Sequence, residues 1–119
     1  MDSEDLKLKT KKFALRIIKL TKALNRDNVE RRIGDQVLRS GTSVASNYRA
    51  ALRGKSRSDF ISKLGTIIEE GDETMFWLEV IVEAGILEKR MVSDLYKEAN
   101  EIVSIVVKTR DTALKNHKS

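Results

Sequence analysis

Four carboxylates crowd five consecutive positions: Glu69, Glu70, Asp72 and Glu73. Clustered acids can hold a hard cation such as Mg²⁺, move protons, or pair with bases on a facing element. The residues that would sharpen the first two options are missing. The only histidine, His117, lies near the C-terminus, and there is no cysteine. A di-iron bundle needs Glu-x-x-His pairs, and none occurs. Ser40 and Ser43 have no adjacent base to make either a nucleophile. The segment RSGTS has the small residues of a phosphate loop without its lysine. The chemistry on offer is hydrogen bonding and ion pairing. No catalytic residue, metal ligand or cofactor is predicted.

The stretch RSGTSVASN, residues 39–47, supplies partners for those acids. Ser, Thr, Gly and Asn each cost a helix interior from a few tenths to about 1 kcal/mol against alanine. Yet the apolar positions around them keep a helical spacing. Gln36, Ser40, Ser43 and Asn47 fall on one stripe of a helix, and Glu70, Glu73 and Trp77 share a face of another. Small side chains let a neighbouring backbone come close, and buried polar groups need partners. The pattern predicts a structural polar seam of Arg39, Ser40, Ser43, Asn47, Glu70, Glu73 and Trp77. In it Arg39 forks to an acid, and a carboxylate accepts from Ser40, Ser43 or the Asn47 amide.

Those residues need helices to carry them. A chain of 119 residues, 40% hydrophobic, 34% charged and without proline suits one all-α domain, residues 1–119. The apolar spacing predicts helices over about 6–24, 29–53, 59–84 and 88–114. Asp27 or a neighbouring Asn caps the second, and Ser56 or Ser58 the third. Residues Lys115 to Ser119 are expected to fray. Short loops make successive helices antiparallel, giving an up-down-up-down four-helix bundle. Met75, Phe76, Trp77, Leu78, Val80, Ile81 and Val82 would point all round the third helix. One buried stripe cannot hold them all, so a second subunit is expected to cover part of that helix.

The net charge is +5, but residues 1–60 carry +8 and residues 61–119 carry −3. Basic helices facing an acidic one inside the fold would absorb part of this. The first helix carries Lys9, Lys12, Arg16, Lys19, Lys22 and Arg26 at steps of 3 or 4, a stripe about 25 Å long. Arg49 and Arg53 lie one turn apart on the second helix, followed by Lys55 and Arg57. Such stripes neutralise phosphates in a salt-dependent way. Lys12, Arg16, Lys19, Arg49 and Arg53 are the predicted contacts to RNA or DNA. No aromatics interleave for base stacking, and no helix-turn-helix or zinc pattern offers base readout. The bland alternative is a solvated basic face.

The N-terminus MDSEDLKLKTKK has no signal-peptide core, and no apolar run approaches the ~20 residues of a membrane span. A cytoplasmic protein without membrane contact is expected.

RSGTSVASNYRAALRGKSRSDFISKL, followed by EEGDETMFWLE, resembles the four-helix-bundle family named after a protein encoded in intervening sequences of bacterial large-subunit ribosomal RNA genes. The resemblance covers about Lys12 to Lys115. It rests on Arg39, Ser40, Gly41, Ser43 and Asn47, then Ser56, Asp59 and Phe60, then Glu70, Glu73, Trp77 and Leu78. It implies an antiparallel bundle and assembly as a five-membered ring. A related branch comprises accessory proteins of diversity-generating retroelements, which bind reverse transcriptase and nucleic acid. This chain departs from the family pattern at Ala50, where a glutamate is usual, and at Arg49, often a small residue. The combined expectation is a non-enzymatic homo-oligomer, a pentamer by resemblance, binding nucleic-acid backbone. The alternative is a scaffold that docks a protein partner, with Phe76, Trp77 and Val80 at interfaces.

Overall fold

Asp2 sets the start of the first helix. Its side chain accepts from the Asp5 N–H at 2.8 Å, and Asp5 accepts in return from the Asp2 N–H. In the computed structural model, which describes residues 1–118 and side chains through Asn116, α1 therefore runs Ser3–Thr21. Both ends come three residues earlier than the apolar spacing predicts. Leu24 is still buried, but in the turn that follows, where Ala23 and Leu24 donate to the Leu20 and Thr21 carbonyls. There the apolar rhythm marks burial and not helix.

Helix α2 spans Asn28–Leu52, and its N-cap Asp27 accepts from the Glu30 N–H at 2.9 Å. Helix α3 spans Arg57–Glu83, capped by Ser56, which accepts from the Asp59 N–H at 3.0 Å. It ends at Gly85, whose φ of 73° lets the Ile86 N–H reach back to the Ile81 carbonyl. Helix α4 spans Lys89–Lys118. Lys115 to Lys118, expected to fray, continue it; Ser119 lies outside the described residues.

The helices alternate in direction around a square. Helices α2 and α3 pack closely, as do α3 and α4, and α1 and α2; α1 and α4 approach least, and among the described residues the backbones of diagonal pairs stay more than 8 Å apart between Cα atoms. The bundle measures 52 × 22 × 20 Å. Phe13, Ile17, Val37, Leu64, Ile67, Leu78, Ile81, Ile102 and Val106 fill its centre.

The apolar block of α3 divides. Met75, Leu78 and Ile81 enter the core, Trp77, Val80 and Val82 are half-buried, and Phe76 remains exposed. The monomer thus takes most of the block itself, because α3 is flanked by both α2 and α4.

Candidate functional site

The α2–α3 seam is built on close approach. Ser40 and Thr74 are both fully buried, and their hydroxyls meet at 2.9 Å. Thr74 Oγ1 also lies 2.8 Å from the Glu70 carbonyl, and Ser40 Oγ reaches the Val37 carbonyl at 3.4 Å, so neither hydroxyl is stranded. On the solvent side Arg39 spans the two helices. Its Nη1 donates to Glu70 at 2.9 Å and its Nη2 donates to Glu73. The Trp77 indole N–H donates to the same Glu73 carboxylate at 3.2 Å. The Glu73 hydrogen bond is the main reason the Arg39 pKa stands above its ordinary value; partial burial opposes it, and the charge of Glu70 adds to it.

Two members of the expected seam do not cross it. The Asn47 amide donates to the Ser43 carbonyl at 2.9 Å, one turn back along α2. A short amide at this spacing satisfies itself locally before it can reach a neighbouring helix. Ser43 meets no α3 carboxylate, and Ser40 finds a hydroxyl instead of an acid. Thr74 is the residue the sequence pattern missed, since a threonine amid acids carries no sign of burial.

The small residues of α2 also serve α1. A Cβ on Gly41 would lie 2.7 and 2.8 Å from the two γ carbons of Ile17, so only glycine admits that side chain.

The basic residues do not form one surface. Arg16 donates to Glu98, and Lys9 lies 3.1 Å from Glu101, so the α4-facing flank of the α1 stripe is neutralised inside the fold. The acids Glu98 and Glu101 flank the α4 heptad, and only knowing which α1 edge faces α4 identifies them. Lys12 and Lys19 are exposed, and among the described residues they have no ion-pair partner. Arg49 and Arg53 are exposed about two and three turns beyond Gly41, toward the end of the bundle where α2 turns into α3, whereas Lys19 sits near mid-height beside Ile17. There Arg57 and Lys108, with Phe60, Thr109 and Thr112, frame an open cleft of about 340 Å³. Nearby Lys63 is held by Asp59 at 3.3 Å.

Among the described residues no group of three or more His, Cys, Asp or Glu side chains could hold a metal ion. Glu70 and Glu73 are engaged by Arg39. His117, set aside above as a ligand, lies outside the described side chains. Among the described residues no helix is long and apolar enough to cross a membrane.

The same bundle is found elsewhere. A 1.70 Å crystal structure of a protein of unknown function from the S23 ribosomal protein family of Bacteroides thetaiotaomicron superposes with a TM-score of 0.87 at 32% identity. The match covers 93% of this chain and 99% of that one. No curated protein matches the chain. The family model for the 23S rRNA-intervening sequence protein matches residues 4–108, which takes in the capped start of α1, the whole α2–α3 seam and most of α4. With fold and sequence in agreement over nearly its full length, the chain belongs to the 23S rRNA-intervening sequence protein family.

Proposed function

We propose that this is a non-enzymatic, self-associating cytoplasmic bundle that binds the phosphate backbone of RNA or DNA through cations its own fold leaves unpaired. The observation that carries this reading is the contrast between two groups of bases. Lys9 and Arg16 are neutralised by α4, whereas Arg49, Arg53, Arg57 and Lys108 gather at one end of the bundle with no ion-pair partner among the described residues. Lys12 and Lys19 add exposed charge along α1. Arg16 contributes less than its place in the stripe suggests, because Glu98 already occupies it. The seam residues Arg39, Ser40, Ser43, Asn47, Glu70, Glu73 and Trp77 are architectural in this reading. The assembly is a ring, with five members by family resemblance, and repetition of the basic end around it multiplies weak contacts.

The test is fluorescence anisotropy of a labelled structured RNA and of a duplex DNA at several salt concentrations. Four phosphate contacts per chain give a log–log slope of about −3.6 on duplex DNA, and Arg53→Glu with Arg57→Glu makes it shallower by about 1.8. Absence of binding at low salt overturns the reading. The scaffold alternative then gains weight from the exposed Phe76 and from an apolar groove of about 360 Å³ between α3 and α4, lined by Leu78, Val82, Val92 and Tyr96.

A further inference from the structure

Two outer faces of the bundle are both apolar at their centre and one-sided in charge. On α1, Leu8 and Leu15 are 53% and 57% exposed, with Ile18 at 37% beside them. Lys11, Lys12, Lys19 and Lys22 surround these residues, all exposed and, among the described residues, without an ion-pair partner. On α3, Phe76 is 54% exposed, with half-buried Val80 one turn away. Glu69, Asp72 and Glu83 flank Phe76 on the same outward stripe and are likewise unpaired.

One chain cannot bring these faces together. Helices α1 and α3 occupy diagonal corners and meet only through the core, so their outer faces point away from each other. They are matched in height, however. Ile17 packs on Gly41, and the adjacent Ser40 bonds Thr74, so Leu15–Ile18 and Asp72–Phe76 lie at about the same level along the bundle. The two helices also run in the same direction. A second copy displaced sideways and turned about the long axis of the bundle, without sliding or inversion, sets one face against the other.

We infer that α1 of one copy docks on α3 of the next, head to tail. Leu15 and Ile18 cover Phe76 and Val80, and the α1 lysines meet Glu69, Asp72 and Glu83. This rests on the self-association proposed above and assigns the surfaces that make it. The contact is heterologous: each copy keeps one free face of each kind, so repetition closes a ring or extends an array. A two-fold contact through either face alone would set lysine against lysine or acid against acid. Docking takes Lys12 and Lys19 out of the phosphate-binding set and leaves Arg49, Arg53, Arg57 and Lys108 facing solvent, so in the assembly the phosphate contacts fall to those four.

The test is mass by light scattering on the full chain, with far-UV circular dichroism to check folding. Wild type is expected well above the 13.5 kDa monomer. Leu15→Glu breaks the α1 face and Phe76→Ser the α3 face; both positions are more than half exposed, so each variant should fold and run as a monomer. Mixed together, the two variants retain one good face each and should form a 1:1 heterodimer of about twice the monomer mass, and nothing larger. A monomeric wild type overturns self-association and this contact with it. An oligomeric wild type unchanged by either variant, or two monomeric variants that do not complement, overturns the α1–α3 contact and leaves self-association standing.

Discussion

Ion pairs cross both the α2–α3 seam and the α1–α4 seam, yet the two hold the bundle by different means. At α2–α3 the Arg39 fork accompanies a pair of buried hydroxyls that meet across the two helices. At α1–α4 the pairs of Lys9 with Glu101 and Arg16 with Glu98 bridge the widest gap in the square. Charges there follow the packing and do not cause it. What fixes α1 is its other neighbour, through Ile17 in the hollow that Gly41 leaves on α2. Helix α1 is thus anchored by shape on one side and only trimmed by charge on the other.

The most severe way to break this comparison is to remove the anchor. Ile17 is fully buried, and Ile17→Ala should cost about 2–5 kcal/mol through lost transfer energy and the cavity left behind. Denaturant unfolding at a fixed protein concentration measures it, since assembly would otherwise shift the midpoint. A loss under about 1 kcal/mol would mean that α1 is held elsewhere. Filling the hollow is the second test. Gly41→Ala gains roughly 1 kcal/mol of helix propensity but meets both γ carbons of Ile17, which no single rotation clears, at an overpacking cost of roughly 1–3 kcal/mol. A net loss of up to about 2 kcal/mol is expected. Gly71→Ala is the control. Its Cβ would meet one Val103 methyl at 2.4 Å while the Val103 Cβ stays 3.9 Å away, so a rotation of that half-buried side chain relieves it. Gly71→Ala should come out near neutral or slightly stabilising; equal losses at both glycines would erase the distinction.

These sites show what a sequence can and cannot disclose. The helices were legible because apolar residues recur at helical spacing, and the Arg39–Glu70–Glu73 fork because opposite charges sat on two such faces. The start of α1 was not, since its reciprocal cap uses aspartate at both ends, Asp2 and Asp5, where serine followed by glutamate is the familiar form. Thr74 was hidden because its burial depends on Ser40 of another helix. The neutralisation of Arg16 was hidden for the same reason: spacing along α1 draws a continuous basic stripe, and only the rotation of α1 against α4 decides which cations meet acids. Local periodicity is written in one segment, whereas pairing is written in two segments and their relative turn.

A gentler probe compares the ion pairs themselves. In the α2–α3 seam, Glu70 and Glu73 are partly shielded, with side-chain exposures of 18% and 34%, and Arg39 bonds both. Arg39→Met keeps the stem and removes the fork, and should cost about 1 kcal/mol, the scale of a charge-assisted bond discounted for solvent. A double-mutant cycle with Glu73→Gln should return a coupling of at least about 0.5 kcal/mol. Trp77 donates to the same carboxylate, so its fluorescence should shift in both single variants.

The smallest effect belongs to the α1–α4 pairs, and it is the sharpest test of the comparison. Arg16 has a side-chain exposure of 45% and makes one contact, to Glu98 at 19%, while Glu101 is 57% exposed where it meets Lys9 at 21%, so each pair keeps one partner open to solvent. Solvent screens both pairs, and each must immobilise two long side chains, so the cycles for Arg16→Met with Glu98→Gln and Lys9→Met with Glu101→Gln should give couplings below about 0.5 kcal/mol, falling further with added salt. The Arg39–Glu73 coupling should resist salt better, although its exposures of 48% and 34% exceed the 45% and 19% of Arg16–Glu98, because Arg39 bonds two carboxylates at once and Trp77 also holds Glu73. Couplings of equal size and equal salt dependence in the two seams would mean that the fork adds nothing to an ion pair here, and that α1 owes its place to charge as much as to the Gly41 hollow.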